Sequence, residues 1–237
     1  MRAFTKAALA LALCTLAQAA AAGVFSVTPV RIYMTPKDRA VAVTINNESE
    51  SPIALQADVY VWKQTSEGAD ELVLSEDLIL APPIIKLGPK ARQVVRLARL
   101  QPPDASRQLT YRLILRELPE ANPSKGIDVP IALALSMPVF ITPPGARHET
   151  NCSARRSDSQ SVALTCANGG TAYAQVREIA VRQGDEVVAR FETGTYLLPG
   201  AQRVLPVKSE RPLPSGPLRV TVTFDDASAR TFELDGR

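Results

Sequence analysis

The sequence predicts an all-β protein made of two antiparallel sandwiches, and three observations predict it. Short β-branched runs alternate large apolar residues with polar or small ones, the period of a strand buried on one side. Clusters of Gly, Pro, Asn and Asp separate these runs at short spacing, and almost no run carries a helical period. Thr142-Pro143-Pro144-Gly145 interrupts the pattern, because two prolines and a glycine cannot continue a central strand; one sandwich ends there and a smaller one begins.

The chain opens with MRAFTKAALALALCTLAQAAAAG, in which Arg2 and Lys6 precede an apolar run from Ala7 to Leu16 and then small residues. That order of charge, short apolar run and A-x-A-like site is a secretory signal, and the run is too short to span a membrane. Residues 1–22 are therefore expected to be removed, with cleavage between Ala19 and Gly23. Cys14 follows bulky Leu13 where a lipoprotein signal needs a small residue, so no lipid anchor is expected. No later segment approaches twenty uninterrupted apolar residues, which argues against membrane insertion.

Loss of Arg2 and Lys6 lowers the formal charge from +3 to about +1. Such a balance, with acidic and basic residues interspersed and few aromatics for base stacking, argues against nucleic acid as a partner.

In chain order the expected strands of the first sandwich are VFSVTPVRIYM (24–34), RAVAVTINN (39–47), IALQADVYVWKQ (53–64), LILAPPIIKL (78–87), RQVVRLARL (92–100) and LTYRLILREL (109–118). Asn46-Asn47, residues 66–70, Gly88-Pro89, Pro102-Pro103 and residues 122–126 supply the breaks. The second sandwich is expected to use SVALTC (161–166), AYAQVREIAV (172–181), EVVARFE (186–192), RVLPV (203–207), LRVTVTFDD (218–226) and ARTFELDG (229–236). An even pair of cysteines remains after export, and Cys152 and Cys166 favour a disulfide closing a loop of about fourteen residues. The competing reading, a metal site of His148, Cys152 and Cys166, has only three ligands.

Nothing points to an enzyme or a cofactor. His148 is the only histidine and no Gly-x-Ser-x-Gly elbow accompanies it; no phosphate loop, zinc pair or calcium loop is present. Asp225-Asp226 and Glu76-Asp77 read as solvated turn carboxylates, because strand neighbours face opposite ways. Trp62, alternating with Tyr60, reads as core.

The segment IDVPIALALSMPVFITPPG (127–145) stands apart. Large residues occupy nearly every odd position from Ile127 to Ile141, with small residues or proline between them. As one strand, residues 127 to 141 would run for roughly 50 Å, against an ordinary five or six residues. A strand of that length with a bulky apolar side is either covered by its own domain or leaves a free edge to be paired by another chain.

Three stretches give this segment a context: VTPVRI near the mature N-terminus, YRLILRELP (111–119) and IALALSMPVFITP (131–143). Together with LILAPPIIKLGPKARQVVRL they resemble the periplasmic chaperones of pilus and fimbria assembly by the chaperone–usher route, and LSMPVF is similar to the branch called archaic. The resemblance implies two immunoglobulin-like β-sandwich domains at an angle, residues 23–142 and 145–237. It implies a periplasmic location, pilin-like fibre subunits and an outer-membrane usher as partners, and donor-strand complementation, a known form of β-augmentation, as the mechanism. Val129, Ile131, Leu133, Leu135 and Met137 would then be the donor residues, and the free protein would be prone to self-association.

The family also holds the subunit's C-terminal carboxylate with two basic residues. Arg31 of VTPVRI matches the first, whereas Pro138 stands where a lysine is usual. If strand 109–118 runs antiparallel to 127–141, Arg112 comes beside Pro138 and can supply the second charge, with bidentate geometry suited to a carboxylate. Arg96 and Lys86 are weaker candidates, and Arg116 and Glu117 are assigned to structure. The rival reading is an immunoglobulin-like adhesin or fibre subunit. A subunit awaiting a donor would carry an N-terminal donor extension and lack a strand, whereas this chain turns strand-like at Val24 and holds its long strand mid-sequence.

Overall fold

A computed structural model describes residues 25–102, 106–118, 132–192 and 194–235. The expected export signal lies outside the described residues. Every regular element among those described is a strand, and none is a helix that could cross a membrane.

Two sandwiches follow one another along the chain. In the first, β1 (Phe25–Thr28), β3 (Ala40–Asn47), β8 (Arg92–Arg99) and β6 (Leu78–Ala81) form one sheet in the order β1-β3-β8-β6. The facing sheet runs β2 (Ile32–Met34), β10 (Ala134–Ile141), β9 (Leu109–Glu117), β4 (Ile53–Gln64) and β5 (Asp70–Leu74), with β7 (Ile84–Leu87) sharing the outer edge of β4. Alternate residues of both sheets meet in one core that includes Val43, Ile45, Leu55, Leu97, Leu113, Leu115 and Val139, all essentially inaccessible.

The second sandwich sets β11 (Thr150–Arg156), β12 (Ser161–Asn168) and β16 (Gln202–Lys208) against β14 (Glu186–Phe191), β13 (Ala174–Gln183), β17 (Leu218–Phe224) and β18 (Ala229–Leu234). A short strand, β15 (Thr195–Leu197), pairs with the start of β13. Val162, Leu164, Val176, Ile179, Val220 and Val222 fill this core. Cys152 and Cys166 are directly opposed on β11 and β12 and form a disulfide. The disulfide uses both sulfurs that the metal alternative needed, and His148 Nδ1 sits 2.8 Å from the Tyr173 carbonyl.

Several sequence-based boundaries shift for identifiable reasons. The runs 24–34 and 78–87 each break at a proline following a cis peptide bond, Thr28-Pro29 and Ala81-Pro82, and each sends its halves to opposite sheets. The first break also places β2 parallel to β10, so the sandwich is not wholly antiparallel. β5 was hidden because all five of its residues are exposed, leaving no buried face to impose a period. The turn before it needs Gly68, at φ 80°, where a Cβ would overlap the Arg203 side chain and Gln202 carbonyl of the second sandwich.

The two sandwiches share a third apolar cluster. Trp62 and Phe140 of the first pack with Tyr173 and Leu198 of the second, and Tyr196 closes over them. Trp62 is therefore buried as expected, but at this junction and not between the sheets of its own sandwich.

Candidate functional site: the free edge of β10 and the junction

The register of β10 decides what it can offer. Glu117 N donates to the Leu133 carbonyl (2.9 Å), and the antiparallel alternation then directs the backbone groups of odd-numbered residues toward β9. Even-numbered residues point their N–H and C=O groups to the opposite edge. There β2 covers only Val139 to Ile141, ending with Thr142 N donating to the Met34 carbonyl (2.8 Å). On that edge Ala134 through Pro138 have no strand partner among the described residues. Pro138 is even-numbered, so its missing N–H falls on the outer edge and costs the β9 ladder nothing.

Side chains follow the same parity. Met137, Val139 and Ile141 are sealed in the first core, while Leu133 and Leu135 are half-buried at its margin. The large residues thus point into their own sandwich, and the open feature is an edge more than a face. Met137, expected among the donor residues, is enclosed at home and has no side-chain surface left to lend. The expected strand 127–141 appears as Ala134–Ile141; Val129 and Ile131 lie outside the described residues.

The predicted neighbour of Pro138 is found in register: Pro138, Arg112 and Tyr60 form one cross-strand row on the outer face. The Arg112 guanidinium lies over the Trp62 indole at 3.7 Å from the ring centroid. It makes no hydrogen bond or ion pair among the described residues, so its fork of donors is unspent. Burial lowers its pKa, opposed by the charge of Asp70, yet a guanidinium has enough headroom to stay cationic at neutral pH. Arg96 is exposed on the opposite sheet, and Lys86 is exposed on β7. Arg116 pairs with Asp58 at 2.6 Å and Glu117 accepts from Leu133 N, as befits structural roles.

Arg31, just ahead of β2, reaches the second sandwich. Its Nη2 donates to Gln175 Oε1 (2.9 Å), its Nη1 donates to Tyr33 Oη (3.3 Å) and lies 3.6 Å from Asp225 Oδ2. Tyr173 Oη donates to Asp225 Oδ2 (3.0 Å), which leaves Tyr33 as the donor in the 2.8 Å contact between the two phenols. The result is a closed ring of four polar groups spanning both sandwiches. Burial works against the charge on Arg31, but the Tyr33 hydrogen bond and the surrounding phenols outweigh it and raise its pKa. Asp225 is thereby tied into the junction and is not the solvated turn carboxylate expected, whereas Asp226 caps Ser228 as a turn residue does.

Sequence reasoning missed the second sandwich's share of the site: Tyr173, Gln175, Tyr196 and Asp225. Tyr173 and Gln175 occupy the parity opposite to core residues Ala174 and Val176, which was the available signal. Gln64 and Gln108 complete the seam. The Gln64 amide bonds the Tyr196 carbonyl (3.1 Å) and Leu198 N (2.8 Å), while Gln108 Oε1 accepts from Tyr173 N (2.9 Å).

Two buried phenols, Tyr173 at the junction and Tyr111 in the first core, give the fold a pH dependence. Burial, the Tyr33 hydrogen bond and Asp225 raise the pKa of Tyr173; burial and Asp77 raise that of Tyr111. Above pH ~10 the unfolded chain releases phenolic protons that the folded protein retains, so stability present below that pH is expected to fall as pH rises. Denaturant midpoints measured at pH ~9 and ~11 check this, and Tyr173→Phe should shrink the drop.

Several solved structures of similar fold are assembly chaperones or their complexes. The chain is 19% identical to one in the crystal structure of the CsuC–CsuE chaperone–tip adhesion subunit pre-assembly complex from archaic chaperone–usher Csu pili of Acinetobacter baumannii, with a TM-score of 0.64 over 90% of this chain and 98% of that one. It is 16% identical to a chain of the Salmonella enterica SafA pilin–SafB chaperone complex (TM-score 0.58; 92% and 98% covered) and 14% identical to the Pseudomonas aeruginosa CupB2 chaperone (0.57; 89% and 99%). No curated protein matches in sequence. The family model for the pili and flagellar-assembly chaperone, PapD N-terminal domain, matches residues 24–147, more than half of the chain, and the protein belongs to that family of two-domain, immunoglobulin-like, non-enzymatic assembly chaperones.

Proposed function

We propose that this chain is a periplasmic chaperone that lends the free edge of β10 to an incomplete fibre subunit by donor-strand complementation and delivers that subunit to an outer-membrane usher. The observation that carries the reading is the edge from Ala134 to Pro138, unpaired among the described residues, which ends at the cross-strand row of Arg112. A foreign strand laid parallel to β10, as β2 is a few residues further on, would bring its C-terminus to the junction. There the guanidinium of Arg112, stacked on Trp62, and the half-buried one of Arg31 are suited to its carboxylate. Leu133 and Leu135, beside the same edge, would complete the subunit's core, and Val129 and Ile131 would extend that contact.

The reading makes residues 1–22 an export signal, 23–142 the capturing domain and 145–237 its partner. The archaic branch is supported by LSMPVF and by likeness to a complex from archaic Csu pili. Without a subunit, the same edge is open to a second copy of the chain. Co-expression with an incomplete fibre subunit should give a one-to-one complex on gel filtration. Arg31→Ala and Arg112→Ala should each weaken it by 2 kcal/mol or more, roughly thirtyfold. Intact capture by both variants would remove the anchor assignment.

A further inference from the structure

The two arginines come from opposite sides of β10, Arg31 just ahead of β2 and Arg112 on β9, yet both guanidiniums approach a ring that belongs to the second sandwich. Arg31 Cζ lies 5.5 Å and Arg112 Cζ 5.6 Å from the centroid of Tyr196. Both distances are within the range of cation–π attraction, which strengthens as the pair is withdrawn from water. We infer that Tyr196 is a positioning residue for subunit capture: its ring gathers the two guanidiniums at one place, so the carboxylate site is complete only when the second domain supplies it.

The ring itself is firmly held. Tyr196 lies on β15 directly opposite Gln175 of β13, so Arg31's hydrogen-bond acceptor and Arg31's aromatic platform are cross-strand neighbours. The Gln64 side chain grips one edge of the backbone on either side of Leu197, at the Tyr196 carbonyl and the Leu198 N–H, as a paired strand would. Trp62 meets Tyr196 edge-on at 5.2 Å, and Tyr173 and Phe140 pack within 5.5 and 6.0 Å. Arg112 is therefore sandwiched against Trp62 and drawn toward Tyr196, while Arg31 approaches the same ring from the polar side of the junction. Two like charges gathered near one ring repel, and their attraction to its π system offsets that cost before any carboxylate arrives.

This inference rests on the anchor reading, and the test separates the two. The probe is a synthetic peptide of alternating valine and threonine with a free C-terminal carboxylate, compared with its C-terminal amide and followed through the fluorescence of Trp62. Wild type is expected to prefer the acid. Tyr196→Phe, which keeps the ring, should retain that preference, and Tyr196→Leu, which keeps bulk but not the π face, should lose about tenfold of it. Far-UV circular dichroism checks that both variants are folded. If wild type and Arg112→Ala bind acid and amide alike, the anchor reading falls and this inference with it. If Arg112→Ala loses the preference but Tyr196→Leu keeps it, or if Phe and Leu fail together, the anchors stand and the positioning role of the ring is wrong.

Discussion

Phe140→Ala is expected to lower the free energy of unfolding by about 3–5 kcal/mol, the usual cost of emptying a fully buried aromatic site. Phe140 is completely inaccessible. Its ring stacks on Tyr173 at 4.1 Å and on Tyr33 at 5.8 Å and lies 6.3 Å from Trp62, so one side chain touches the aromatic groups of both sandwiches. Relaxation cannot easily fill the space, because the residues around it are fixed by the hydrogen bonds of Gln64, Gln108 and the Arg31 ring of polar groups. Urea titrations of the variant should show a lowered midpoint and, with the joint loosened, separate transitions for the two sandwiches. A loss below about 1 kcal/mol with a single transition would mean that Phe140 does not carry the coupling between the domains.

Leu133→Asp is expected to abolish subunit capture while leaving the chaperone folded. Leu133 is half-buried just ahead of β10, so in the free protein an aspartate there can reach water. In a complex the same carboxylate would sit inside the subunit's groove. The lost leucine burial, about 1.5–3 kcal/mol, and the penalty of an enclosed unpaired charge, several kcal/mol more, together exceed a hundredfold in affinity. Co-purification with a subunit, alongside circular dichroism of the variant alone, reads both halves of the expectation. Equal recovery of subunit by Leu133→Asp and wild type would sink the donor-strand proposal.

The two variants probe different parts of the molecule, and the sequence exposed those parts unequally. Strand period made the two sandwiches legible, because Val43, Ile45, Leu113 and Leu115 must all face one way for a sheet to bury them. The antiparallel order of the two strands placed Arg112 beside Pro138, and the register agrees. Parity did not reveal which edge of β10 stays open. That depends on where β2 lands, and β2 lands there only because the chain changes sheets at Pro29.

Local pattern therefore determined most of the strands, their inward faces, the cysteine pair and the neighbour of Pro138, since each depends on residues a few positions apart or on one pairing partner. The junction was decided by tertiary structure alone. Arg31, Arg112, Trp62, Tyr173, Tyr196 and Asp225 are scattered over nearly two hundred positions and share no period. Only the packing of one sandwich against the other brings two cations to one ring and encloses a carboxylate that the sequence alone left in solvent.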